Sequence, residues 1–148
     1  MKYAFLLLAA AGLSLAACSS ESVSGDMKDM PQAVQTAVKD NFKSEVVKAK
    51  VEKNAVGADE YEVTLADGTK VKYENDQWEE VKVPMGQSVP DAFVPEAIRN
   101  YVAEKHAGMS IYKIDRDSKG YDVDLSNGTV KGPELKFDTA GNFVKYDD

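Results

Sequence analysis

One stretch of text occurs twice in this chain, and it restricts the fold more than any other feature. Tyr61-Glu-Val-Thr-Leu-Ala-Asp-Gly-Thr69 returns as Tyr121-Asp-Val-Asp-Leu-Ser-Asn-Gly-Thr129. In the first copy Tyr61, Val63 and Leu65 alternate with Glu62, Thr64 and Ala66, the period of a strand with one apolar face. Asp67-Gly68 then supplies a two-residue hairpin turn, and Val71 and Tyr73 continue the apolar face on the return strand. Asn75-Asp76-Gln77 turns the chain again, and Trp78 opens a further strand with Val81 and Val83 on its apolar side. In the second copy Tyr121, Val123 and Leu125 precede the turn Asn127-Gly128, Leu135 and Phe137 lie on the return, and Ala140-Gly141-Asn142 leads into Phe143. The insertion Val130 to Glu134, with Gly132-Pro133 at its centre, widens the second hairpin.

The correspondence extends upstream. Pro31, Val34 and Val38 match Pro95, Ile98 and Val102, each set a helix-starting proline followed by apolar residues one turn apart. Between helix and hairpin, Val47, Ala49 and Val51 alternate with Lys48, Lys50 and Glu52, and Tyr112 and Ile114 take the equivalent inward places. The expected fold class is therefore α+β: two repeated units, each an N-terminal helix followed by a four-stranded antiparallel sheet, with both helices on one sheet face. At about sixty residues each, a lone unit has a marginal core. The units are expected to pack together, as one curved sheet of about eight strands or as two separate sheets.

The helix led by proline, the Tyr-x-Val-x-Leu-x-Asp/Asn-Gly core and the aromatic after the next turn together resemble the PepSY-like, β-lactamase-inhibitor-like family, which occurs as tandem domains in exported bacterial proteins. The resemblance covers the last four-fifths of the chain. It implies binding or inhibition of a protein or peptide and carries no catalytic residue to this sequence.

Residues 1–17 read as a signal segment: Lys2, then an apolar run from Tyr3 to Ala17 that is too short to cross a membrane. Leu15-Ala16-Ala17-Cys18 resembles a bacterial lipobox, so Cys18, the sole cysteine, is the expected lipidation site. Residues 18–26 are expected as a flexible tether, 27–83 as the first repeat with a helix from Met27 to Phe42, 84–94 as a linker and 95–148 as the second repeat. Ser19 after the cysteine favours, by resemblance to other lipoproteins, the outer membrane. Without residues 1–17 the chain has 17 basic and 25 acidic side chains, a net −8. That balance excludes nucleic acid as a natural partner and leaves the lipid anchor as the only membrane contact.

Chemistry-bearing patterns are sparse. Asp115-Arg-Asp-Ser-Lys-Gly120 starts like a calcium loop, but Lys119 and Ser126 stand where ligands are needed, so an acidic turn is the better reading. His106, the only histidine, lies at a helix end without a Ser or Cys partner. Glu79 and Glu80 are strand neighbours and point to opposite faces, so they cannot flank one bond. No enzyme, no metal and no cofactor is expected. The candidate partner surface is the polar sheet face, with Trp78 and Phe143 as aromatic anchors and Lys72, Glu80, Lys136 and Lys145 as the charges around them. A small-ligand or calcium carrier using the acidic loops is the alternative.

Overall fold

The structure is a computed structural model that describes residues 21–147, the side chains of 21–24 excepted. Alternating residues decide the strands, and proline and glycine decide where they stop. The first repeat holds α1 (Gln32–Asn41), β2 (Val46–Lys53), β3 (Glu60–Leu65), β4 (Lys70–Glu74) and β5 (Gln77–Lys82). The second holds α2 (Glu96–Lys105), β6 (Ser110–Arg116), β7 (Gly120–Ser126), β8 (Lys131–Asp138) and β9 (Phe143–Asp147). A further strand, β1 (Glu21–Gly25), precedes both.

The nine strands of the described residues form one antiparallel sheet in chain order. The two repeats merge where β5 pairs with β6, through Glu80–Asp115, Val81–Ile114 and Lys82–Lys113. The single-sheet alternative is therefore the one the chain adopts. Residues 21–25, expected as tether, instead form an edge strand paired with β2, because Gly25 and its neighbours meet Ala49 and Val51 in continuous register. Cys18 lies outside the described residues.

Both helices cover one face. Val34 and Val38 of α1, and Ile98 and Val102 of α2, sit four residues apart and are buried in a single core with Val63, Val71, Val81, Val123, Leu125 and Leu135. Each helix begins after its proline, Pro31 or Pro95, whose φ near −50° is already set for a helical start. The expected helix from Met27 is shorter than read. Met27–Asp29 is a separate 3-10 turn closed by a capping box between Asp26 and Asp29, and an equivalent turn, Asp91–Phe93, precedes α2. α2 ends at His106, and Gly108 at φ 85° follows in the left-handed region.

The segment 84–94 is more than a connection. Val89, Phe93 and Val94 are buried. Phe93 stacks on Phe42 at 5.9 Å and meets the edge of Trp78 at 5.9 Å. Trp78 in turn lies 6.3 Å from Tyr121. This aromatic chain runs from the end of α1 through the inter-repeat segment to β7, and stitches one repeat to the other.

Candidate interaction face

The face opposite the helices carries the charged partners of each buried strand residue. Paired positions form a row across the sheet: Lys50, Glu62, Lys72, Glu80, Asp115, Asp122, Lys136 and Lys145, from β2 to β9. Opposite charges alternate from Lys50 to Glu80, three carboxylates stand side by side at the junction of the repeats, and two lysines, Lys136 and Lys145, face each other at the β9 end.

Four of the expected partner residues, Lys72, Glu80, Lys136 and Lys145, belong to this row. Lys72 Nζ is 3.6 Å from Glu80, and Lys113 Nζ is 3.7 Å from the same carboxylate and 2.6 Å from Asp115. Lys136 lies 3.1 Å from Asp122 and 2.9 Å from Asp147, which also receives Lys145 at 3.5 Å. Bonds that Lys136 donates to Asp147 and Asp122 keep it protonated well above the ordinary lysine range. At Asp115 burial pushes the carboxyl up and the nearby Glu80 pushes it further, against the pull of Lys113. Burial and then the neighbouring carboxylates of Glu74 and Glu60 likewise raise Glu79. Neighbouring carboxylates thus raise one another at the junction, at Asp115, and within the first repeat, at Glu79. Two shallow depressions open on the sheet, one of about 230 Å³ within the first repeat, over Lys50, Glu62 and Glu79, and one of about 210 Å³ at the junction, over Glu80, Asp115 and Asp122.

The two aromatic anchors are not on this face. Trp78 is paired with Tyr73, and Phe143 with Phe137, both on the helix side. The reason is a β-bulge in each strand. Between Lys72 and Tyr73 the partner strand advances by two, so Glu79 is the extra residue; between Lys136 and Phe137 it is Val144. One inserted residue moves every side chain before it to the opposite face. Trp78 packs under Phe93 and Tyr121, with the Arg116 guanidinium 4.6 Å from its ring. Phe143 stacks on Tyr101 at 4.8 Å. Both are half-buried supports of the core. Similar extra residues lie at Val47 in β2 and Tyr112 in β6. Val47 is therefore 62% exposed, although simple alternation placed it inward.

Phe93 and Lys113 escaped the sequence reading. Phe93 sat in a segment read as linker, although an aromatic between two prolines was a signal that the segment packs. Lys113 bridges Glu80 and Asp115 across the repeat junction, a role visible only once β5 is known to pair with β6.

The acidic turn after β6 serves its own backbone. Asp117 Oδ1 accepts from the N–H groups of Lys119, at 2.7 Å, and Gly120, at 3.1 Å. Among the described residues no group of three or more His, Cys, Asp or Glu side chains is arranged to hold a metal ion. The Asn127-Gly128-Thr129 segment forms the hairpin turn, with Asn127 Oδ1 accepting from the N–H groups of Thr129 and Val130. The expected insertion after it is largely strand, since β8 already starts at Lys131.

A model of the family described as putative beta-lactamase-inhibitor-like, PepSY-like matches residues 16–58 and 59–145. Three solved structures are similar along most of their length. A putative calcium-regulated periplasmic protein from Bacteroides thetaiotaomicron is 36% identical with a TM-score of 0.75, over 86% of this chain and 97% of that one. A putative periplasmic protein of the DUF2874 family from Bacteroides vulgatus is 33% identical with a TM-score of 0.74, over 86% and 98%. Another Bacteroides vulgatus periplasmic protein, of unknown function, is 32% identical with a TM-score of 0.76, over 86% and 100%. No curated protein matches the sequence. Among the described residues no helix is long and apolar enough to cross a membrane.

Proposed function

The chain belongs to the PepSY-like, putative beta-lactamase-inhibitor-like family, and from that premise we propose that it is a noncatalytic protein of the cell envelope that binds a protein or peptide on its open sheet face. One observation carries the reading. The nine-stranded sheet of the described residues keeps its buried apolar residues and both helices on one side, and the other side presents ordered rows of charge. Such a rigid polar platform selects a partner by complementary charge and leaves chemistry to others. The periplasmic solved relatives support the location. The family description supports inhibition of a hydrolase as the outcome of binding.

The experiment is capture from envelope extract with the purified protein, beside a variant with Glu80→Lys and Lys136→Glu. A partner recovered by the parent and lost by the variant supports the open face. Repeated recovery of none would count against binding as the function. Anchoring through Cys18 is part of the same reading. Cys18→Ala is expected to release the protein from the membrane fraction, and unchanged fractionation would remove the lipid anchor and, with it, the outer-membrane placement.

Calcium carriage is a second reading, favoured by the description of the Bacteroides thetaiotaomicron relative as calcium-regulated. The use of Asp117 by its own turn weighs against the acidic loop as its site. Titration calorimetry with calcium separates the two: heat and a raised unfolding midpoint belong only to the carrier.

A further inference from the structure

A second row on the open face is segregated by charge. It passes from Lys48 in β2 through Thr64 and Lys70 to Lys82 and Lys113, each opposite the next. It continues through Asp124 and Glu134 to Asp147 in β9. The first repeat contributes only basic or neutral groups to this row, and β7 to β9 contribute only acids.

The acidic half is answered from within the chain. Lys131 Nζ lies 3.2 Å from Asp124 and 3.5 Å from Glu134, and Lys136 lies 2.9 Å from Asp147. Among the described residues the basic half is answered only at Lys113, by Asp115 at 2.6 Å and Glu80 at 3.7 Å. Among the described residues, no carboxylate lies within the 4.0 Å limit of an ion pair with Lys48, Lys70 or Lys82. All three are exposed. Lys70 is directly opposite Lys82, and Lys82 opposite Lys113. Like charges so placed destabilise a sheet. The chain has 25 acidic residues against 18 basic ones, yet it places none between these lysines.

We propose that the row Lys48, Lys70 and Lys82 docks an acidic segment of a protein partner. Neighbouring strands are about 4.8 Å apart, so one carboxylate lying over Lys70 and Lys82 reaches both ammonium groups. Lys48, two strands from Lys70, takes the next acid about 10 Å away. The bound acids relieve the repulsion that the free row carries. A narrow segment fits better than an anionic bilayer. Glu52, Glu60 and Glu74 form another row at the far ends of the same strands, about 13 Å from the lysines. A flat anionic surface would meet both rows, whereas a peptide follows one. The inference rests on the open face being the binding face.

The test is fluorescence anisotropy in low salt with a labelled hexaglutamate peptide and its hexalysine counterpart. The proteins are the parent, the variant Lys48→Gln/Lys70→Gln/Lys82→Gln and a control with the same charge loss elsewhere, Lys39→Gln/Lys43→Gln/Lys119→Gln. The expected result is binding of hexaglutamate by parent and control, weakened at least tenfold in the row variant. The urea midpoint of that variant is expected to be unchanged or higher, because repulsion has been removed. Three results would overturn the proposal: no hexaglutamate binding by the parent, equal loss in the control, or row-dependent binding to phosphatidylglycerol vesicles without binding to the peptide. In the capture experiment above, a row variant that retains the parent's partner overturns the lysine row alone, and a parent that captures nothing overturns the open face.

Discussion

Trp78 and Phe143 stand at the same step of the two repeats, each just after the second turn and each set on the helix side by one extra residue. Their surroundings differ because their strands do. β5 lies inside the sheet, between β4 and β6, so Trp78 is enclosed by Phe93 of the inter-repeat segment and Tyr121 of the second repeat. β9 is the last strand, so Phe143 has only its own repeat to lean on, through Tyr101, Phe137 and Tyr146. A duplicated motif thus supplies one aromatic that joins the units and another that closes the sheet. Neighbouring strands decide which role each takes.

The sharpest divergence between the repeats lies one residue before the paired tyrosines. Glu60 faces Glu74 in the first repeat, and Gly120 faces Asp138 in the second. Gly120 has φ 149°, and a Cβ there would collide with the backbone of Phe137 and Asp138. Both conformation and space demand glycine. Gly120→Ala is expected to destabilise the protein by about 3 kcal/mol or more, the range of strain and overpacking combined. Glu60→Ala, at the matching site, should change little. Urea unfolding of both variants checks this, and equal losses would mean that the repeats are closer than their backbones indicate.

Next in size is the aromatic pair. Trp78→Ala removes the ring that Phe93, Tyr121 and Arg116 share. It should cost about 3 kcal/mol, at the low end for large aromatics because the ring is only half-buried. Phe143→Ala should cost about half as much and speed hydrogen exchange mainly in β9, since an edge strand can open locally. A larger loss at Phe143 than at Trp78 would break the assignment of joint and edge.

The sequence carried the strands, helices and hairpins of both repeats, because alternation, Pro-led helices and Asp-Gly or Asn-Gly turns act over a few residues. Tyr61 is buried and Tyr121 half-buried, both on the helix side as their period required. Lys72, Glu80, Lys136 and Lys145 were legible as open-face charges for the same reason. The bulges were not legible. An extra Glu79 or Val144 is fixed by how β4 meets β5 and how β8 meets β9, so parity counted forward from the turn put Trp78 and Phe143 on the wrong side. β1 was hidden for a different reason. Its residues are small and polar, and what holds 21–25 in the sheet is the backbone of β2, a long-range pairing that local composition does not announce.

The smallest expected effect concerns those two extra residues. In the first repeat the bulge residue is Glu79, half-buried; in the second it is Val144, 58% exposed. Burial raises the Glu79 carboxyl, and Glu74 and Glu60 raise it further. A carboxyl raised in the folded state holds its proton more tightly there than in the unfolded chain. Its ionisation therefore costs the fold stability at neutral pH, and the cost fades as pH falls through the raised value towards the ordinary 4.5. Glu79→Gln should raise the urea midpoint at pH 7 by the equivalent of about 0.5 kcal/mol, the scale of a like-charge contact on a sheet. The gain should vanish below about pH 4.5, where the parent's Glu79 is protonated in both states. Val144→Gln should show no such pH-dependent gain, having no charge to lose and open water around it. A Glu79→Gln gain that persists undiminished at pH 3.5 would assign the effect to packing at the bulge and leave the crowded carboxylates of the first repeat without energetic consequence.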